Sequence, residues 1–217
     1  MVAKLKSRAE PRIDLSELEP NLLEQLHSGQ VHNAIASDIA LPPLLSPRGQ
    51  SSHIQESLLR TVTLSDSITT SLHLLDVRIE TSDLSNIELS NATFERVEII
   101  STRLTGAICT EARFTSVLFR DCKLDLTVFR MARLHLCVFE NCNLSEADFY
   151  AADLSGAIFR NCNLSRADIS QAKLAHADIR NCHLDGMRGT PVTLNGLIVS
   201  PDQAALLITL FGVRVES

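Results

Sequence analysis

Ala147-Asp148-Phe149-Tyr150-Ala151 runs directly into Ala152-Asp153-Leu154-Ser155-Gly156. Each quintet puts a small residue first, a carboxylate second and a large apolar residue third. Outward from this stretch, every fifth residue from Leu84 to Leu184 is large and apolar. These 21 positions hold ten Leu, seven Phe, three Ile and Cys109. Two residues before each centre the side chain is Ala, Cys, Ser or Thr at 18 of the 21 sites, with Ile87, Val97 and Val117 the exceptions. Neither the 3.6-residue period of a helix nor the 2-residue period of a strand produces this pattern. The chain must turn a corner every five residues.

A second period lies on the first. Cys122, Cys142, Cys162 and Cys182 are spaced by twenty, as are Phe119, Phe139, Phe159 and Ile179. Twenty on five means four like sides per turn. Such periods mark a solenoid, in which each unit buries its apolar face only by stacking on its neighbours. Adjacent coils should lie about 4.8 Å apart, the strand spacing. Four large centres then fill the middle of each coil, and the small residues sit near the corners where backbone passes close by.

The quintets Ala147–Ala151, Ala152–Gly156 and Ala167-Asp168-Ile169-Ser170-Gln171 resemble the pentapeptide repeat, A-(D/N)-L-x-x. The resemblance covers about 100 residues. It implies an all-β solenoid, a right-handed quadrilateral β-helix with four pentapeptides per coil. The centre and the small residue before it point inward, and the other three positions point outward.

The chain divides into three parts. Residues 1–53 are expected to form an N-terminal non-repeat segment. Leu18, Leu22, Leu23 and Leu26 have helix-like spacing, with Gly29 after them, and Pro42-Pro43 reads as loop. Residues 54–199 are expected to form the β-helix, irregular in its first coils: the register is weak at Ile54, Leu59 and Leu64, broken at Thr69 and recovered at Leu74. It fails again at Gly189 and resumes at Leu194 and Val199, which predicts a last partial coil. Residues 200–217 are expected to form a capping helix and tail. Ser200-Pro201-Asp202-Gln203 supplies an N-cap, an N1 proline and a capping-box Gln, and Gly212 a stop. Leu206, Leu207, Leu210 and Phe211 make this helix apolar nearly all round. One face should close the end of the solenoid and its β edge. The other is a candidate dimer contact, and some pentapeptide-repeat proteins, the quinolone-resistance group among them, dimerise through a C-terminal segment.

The formal charge is −6 at pH 7. No apolar run reaches 18 residues, so no transmembrane helix is expected. The N-terminus lacks the apolar stretch of a secretory signal, and a cytoplasmic location is the default expectation. Five cysteines (Cys122, Cys137, Cys142, Cys162 and Cys182) fall on the small inward site, where a thiol serves as a small hydrophobe. Seven scattered His residues offer no ligand spacing. No nucleophile elbow, phosphate loop or HExxH is present. An enzyme is not expected, nor a metal or cofactor. With no Trp and a single Tyr, direct nucleic-acid binding lacks stacking residues.

Function should therefore lie on the outer faces. Leu118, Val138 and Ile158 precede centres on one face at outward sites and form an apolar ladder. Ile108 and Val128 hold the same position on another face, with Leu126, Met131 and Leu136 at outward sites nearby. A contiguous exposed apolar patch marks an interaction site, so Leu118, Val138, Ile158, Val128, Met131 and Leu136 are candidates to seat either a protein partner or the N-terminal segment. The leading expectation is a protein-interaction scaffold. The alternative drawn from the resemblance is a DNA mimic that binds a type II topoisomerase and protects it from quinolones. Between Asp76 and Arg188, 16 carboxylates face 13 Lys and Arg, a poor copy of DNA, which carries about one charge per 1.7 Å of axis.

Overall fold

The computed structural model describes residues 8–20, 25, 30–38, 52–68, 71–208 and 213. Ten strands run parallel in one sheet: β1 (Gln30–His32), β2 (Ile35–Ser37), β3 (His53–Arg60), β4 (His73–Glu80), β5 (Thr93–Ile100), β6 (Arg113–Thr115), β7 (Leu118–Arg120), β8 (Arg133–His135), β9 (Val138–Glu140) and β10 (Ile158–Arg160). From β3 onward each residue pairs with the one twenty positions later: Phe94 with Phe114, Phe119 with Phe139, Phe139 with Phe159. Isolated parallel bridges with the same step, such as Asp148 to Asp168, continue the ladders where the strands are short. The result is a quadrilateral β-solenoid of about six turns.

From Glu56 to Gly186 the residue after next beyond each centre takes a positive φ (Asn141 at 53°, Asn161 at 51°). At many corners the N–H that follows returns to the centre's carbonyl, as Ala147 N–H does to Leu144 at 3.1 Å; at others it goes to a side chain one coil along, as Ser82 N–H does to Thr102 Oγ1. Asn and Asp tolerate this left-handed conformation better than other side-chain-bearing residues.

The centres are the core. Phe119, Phe139 and Phe159 stack face to face at 4.7 Å, nearly parallel, and Phe129 stacks on Phe149 at 5.1 Å. The two stacks meet edge to face, with Phe129 to Phe139 at 6.5 Å, the geometry aromatic quadrupoles prefer. The small inward sites also satisfy backbone. Ser82 Oγ and Thr102 Oγ1 donate to the carbonyls two residues before them, and the thiols of Cys122, Cys142 and Cys162 do the same. Ser82 Oγ in turn accepts from Val62 N–H one coil away. Burial pushes the Cys137 thiol up to about 12, so it stays protonated.

The structure corrects the N-terminal boundary. Strands β1 and β2 already belong to the solenoid, with Val31 beside Ile54 and Ala36 beside Leu59. Their partners lie 23 residues away rather than twenty, which hides them from a fixed register. That 23-residue step makes the first coil irregular, whereas β3, β4 and β5 follow one another at twenty. Strands β3, β4 and β5 are the longest in the sheet, each eight residues. Gln25, between Leu23 and Leu26, is helical, but residues 8–20 before it are not. Asp14 closes a turn onto Ser16 N–H at 2.9 Å, and Glu19 pairs with the backbone of Asn33 and Ile35. Leu22, Leu23 and Leu26, the Pro42-Pro43 loop and Thr69 lie outside the described residues.

At the far end, Pro191–Leu194 is a 3-10 turn, after which Ile198 bridges Asp178 and completes a last partial coil. Helix α1 (Pro201–Ile208) follows. Ser200 N–H donates to Gln203 Oε1 at 2.9 Å, and Gln203 Nε2 donates to the carbonyls of Ile179 and Cys182, each at 2.8 Å. One buried amide thus caps the helix and closes the solenoid edge.

Phe139→Ala empties the middle of a three-ring stack with no side chain able to collapse into it. It should cost about 3–5 kcal/mol in urea unfolding, with no change in m-value.

Candidate interaction surface

The outward residue just before each centre has a local task. Several Asp, Asn and Glu side chains here accept the N–H of the residue after the centre: Ser85 onto Asp83 at 3.0 Å, Ser90 onto Glu88 at 2.9 Å, Tyr150 onto Asp148 at 2.9 Å, Ser170 onto Asp168 at 2.9 Å. This Asx-type bond explains the second position of the repeat. Ile108, Leu118, Val128, Val138 and Ile158 occupy the same position and cannot make it.

The apolar ladder exists in the expected register: Leu118 pairs with Val138 and Val138 with Ile158. Its exposure is uneven. Leu118 is buried at 3 %, whereas Val138 and Ile158 are half-buried. Below Leu118 in the same column stands Glu98, and the N-terminal arm lies across it. Arg8 Nη2 meets Glu98 Oε1 at 2.8 Å, while Arg78 holds the other carboxylate oxygen. Four residues along the arm, the backbone N–H of Arg12 donates to Asp76 Oδ1 at 2.9 Å. Asp76, Glu98 and Ser116 are buried although their positions point outward. Nothing in the sequence pattern marks these contacts, because Arg8 and Glu98 are 90 residues apart.

Asp76 is the electrostatic anchor of this corner. Arg96 grips both its carboxylate oxygens at 2.7 Å. Burial works to raise the Asp76 pKa, but the hydrogen bonds from Arg96 and the Arg12 backbone, with the two guanidinium charges, outweigh it and hold the carboxyl below its usual value. The pair raises the Arg96 pKa in turn.

On the face bounded by the Leu126 and Met131 corners, Val128 is half-buried and bridges Ile108. Leu126 and Met131 are 52 % and 47 % exposed, and Leu136 is half-buried at the next corner. All three corner residues have positive φ, at 60°, 56° and 55°. Elsewhere the described positive-φ sites hold polar residues, Ala or Gly. Arg130 spans this face, bonding Asp148 at 2.6 Å and lying over the Tyr150 ring at 5.4 Å.

Charge on the rod is largely paired between coils: Arg60 with Glu80, Arg120 and Arg160 with Glu140, Arg166 with Glu146. Such exposed pairs contribute about 0–1 kcal/mol each. An open polar groove of about 300 Å³ follows one corner, with Thr63, Thr81, Ser101, Arg103 and Lys123 in its walls. Among the described residues no group of three His, Cys, Asp or Glu stands close enough to hold a metal, and no helix is long and apolar enough to cross a membrane. At the C-terminal end Leu207 is buried and Leu206 exposed, and Leu194, Leu197, Val199 and Ile208 line an apolar recess. Leu210 and Phe211 lie outside the described residues.

Residues 112–189 match the family model for a pentapeptide repeat region. Among solved structures, a trypsin-treated form of QnrB1, a plasmid-mediated fluoroquinolone resistance protein, is 18% identical; the match covers 87% of this chain and 92% of that one, with a TM-score of 0.48. HetL, a pentapeptide repeat protein involved in heterocyst differentiation regulation from the cyanobacterium Nostoc, is 18% identical over 83% of this chain and 94% of its own, with a TM-score of 0.33. Rfr23, a pentapeptide repeat protein from the cyanobacterium Cyanothece, is 18% identical over 83% and 98%, with a TM-score of 0.20. No curated protein matches the chain in sequence.

Because the folded-state pKa of Asp76 is depressed, its stabilisation is complete above the unfolded value near 3.9 and is lost as pH falls through the folded value. Asp76→Asn should lose about 1–3 kcal/mol at neutral pH. In urea titrations from pH 7 to pH 2, the gap to wild type should close at the acid end.

Proposed function

We propose that this chain, whose residues 112–189 form a pentapeptide repeat region, is a non-enzymatic protein-interaction scaffold that works through the outer faces of its rod. One observation carries this reading. The coil of residues 121–140 places Leu126, Met131 and Leu136 at three of its four left-handed corners. A long apolar side chain there costs backbone strain of about 1–2 kcal/mol and exposes hydrocarbon to water. Contact with another protein offsets both. Among the described residues, much of the remaining outer surface carries ion pairs between coils and Asx-type turns. A cytoplasmic location suits six free thiols.

The test is a pull-down from a bacterial lysate with wild type and a Leu126→Asn/Met131→Asn/Leu136→Asn variant. Asn is favoured at positive φ, so the variant should fold at least as stably. A protein retained by wild type and lost by the variant supports the reading; identical retention by both moves the interface off these corners, and retention of no protein by wild type overturns the reading. Type II topoisomerase subunits among the retained proteins, together with protection of supercoiling from a quinolone, would replace it with the DNA-mimic alternative.

The scaffold is proposed to be a homodimer through its C-terminal end. Leu206 and Ile208 are exposed on α1 beside the apolar recess. Sedimentation velocity should give twice the 23.9 kDa chain mass, and Leu206→Glu/Ile208→Glu should return it to the monomer. A wild type that sediments as a monomer at micromolar concentration removes the dimer and leaves α1 as a lid.

A further inference from the structure

One face of the rod breaks the local rules that the others keep. Its edges are the corner columns of Leu126 and Met131, and its middle is the bridged pair Ile108 and Val128. Leu126 and Met131 sit in left-handed backbone and are about half exposed. Ile108 and Val128 give up the Asx-type bond that Glu88 makes one coil below and that Asp148 and Asp168 make above. Four neighbouring residues thus choose apolar surface over the cheaper polar solution. Local violations of this kind concentrate at functional sites.

The rim of the face has a sign. Over 85–91, 105–111, 125–131, 145–151 and 165–171 there are six carboxylates, Glu88, Glu111, Asp125, Glu146, Asp148 and Asp168, against two guanidiniums, Arg130 and Arg166. The excess of four exceeds the excess of three over all of 76–188, so the remaining faces carry a slight positive balance. Three of the six carboxylates are held in ion pairs, Asp148 by Arg130, Glu146 by Arg166 and Asp168 by Arg188, and the face keeps a net negative charge. This rim repels a second copy of the same face, an anionic membrane and a nucleic acid. It attracts a cationic partner.

We infer that this face binds a protein segment carrying apolar anchor side chains flanked by Lys or Arg. Ile108, Val128, Leu126 and Met131 receive the anchors, and the net negative charge of the face attracts the cations. The inference rests on the scaffold reading and gives it a face and a partner chemistry.

The probe is a short fluorescent amphipathic peptide of Leu and Lys, with a Leu and Glu peptide of the same pattern as control, titrated by anisotropy against the full chain. The variant is Leu126→Asn/Val128→Asp. Asn suits the left-handed corner, and Asp restores the bond to Arg130 N–H, so urea unfolding should show no loss of stability. Wild type should bind the Leu/Lys peptide and not the Leu/Glu peptide, and should lose affinity when salt rises from about 50 to about 300 mM. The variant should bind at least about tenfold more weakly. Charge attraction alone predicts the opposite, because the variant is one charge more acidic. Equal or tighter binding by the variant overturns the assignment. If a Leu136→Asn/Val138→Asp variant abolishes binding instead, the scaffold reading stands and this face is the wrong one. If the wild type binds neither peptide, or binds both alike, the proposed partner chemistry falls, and the pull-down alone then decides the scaffold reading.

Discussion

Stacking in register at a step of twenty residues is the constraint on which everything else rests. Each inward side chain lies directly above a residue of the same column, about one strand spacing away, so every column must be chemically self-compatible. Flat Phe rings meet this condition, and Phe119, Phe139 and Phe159 lie within 4° of parallel. Small residues meet it at the corner-side position, where Ser82 Oγ pairs the Val62 N–H, and Ser82, Thr102 and the cysteines above them add a bond to carbonyls that also accept a backbone N–H. A single mismatched residue disturbs its own coil and the two that contact it. Stability is therefore shared along the rod rather than concentrated in one place.

The same constraint leaves the outside free. Outward residues need only tolerate a corner or an edge, and most do so with Asn, Asp, Ser or an Arg–carboxylate pair to the next coil. The exceptions stand out for that reason. Ile108, Leu126, Val128 and Met131 are neither required by the fold nor cheap for it. Leu118 differs from them although its sequence context is the same, because it is buried beside the N-terminal arm. Two apolar outward positions that look equivalent in sequence therefore play different parts.

The ends of a stacked array need their own solutions, since an open parallel edge invites further pairing. At the N-terminal end, the backbone of Glu19 pairs with β2 and its flanking residues. At the other end Gln203 donates two bonds to the last coil from within helix α1. Along the flank, Arg8 and Arg12 tie the arm to Glu98 and Asp76. These devices are few, polar and specific, whereas the core between them is repetitive and apolar.

The sequence by itself determined the class of fold, the inward columns, the last partial coil and the cap of α1, because each is written as a local spacing or a short motif. It also marked Ile108, Leu126, Val128 and Met131 as outward, since outward positions are known once the five-residue frame is known. It did not reveal β1 and β2, whose step to β3 is 23 residues, nor the turn at Asp14. It could not distinguish a covered Leu118 from an exposed Leu126. Only the tertiary structure decided these points. Coverage depends on which distant segment lies on a face, and contacts such as Arg8 with Glu98 arise from chain path and charge rather than from any period in the sequence.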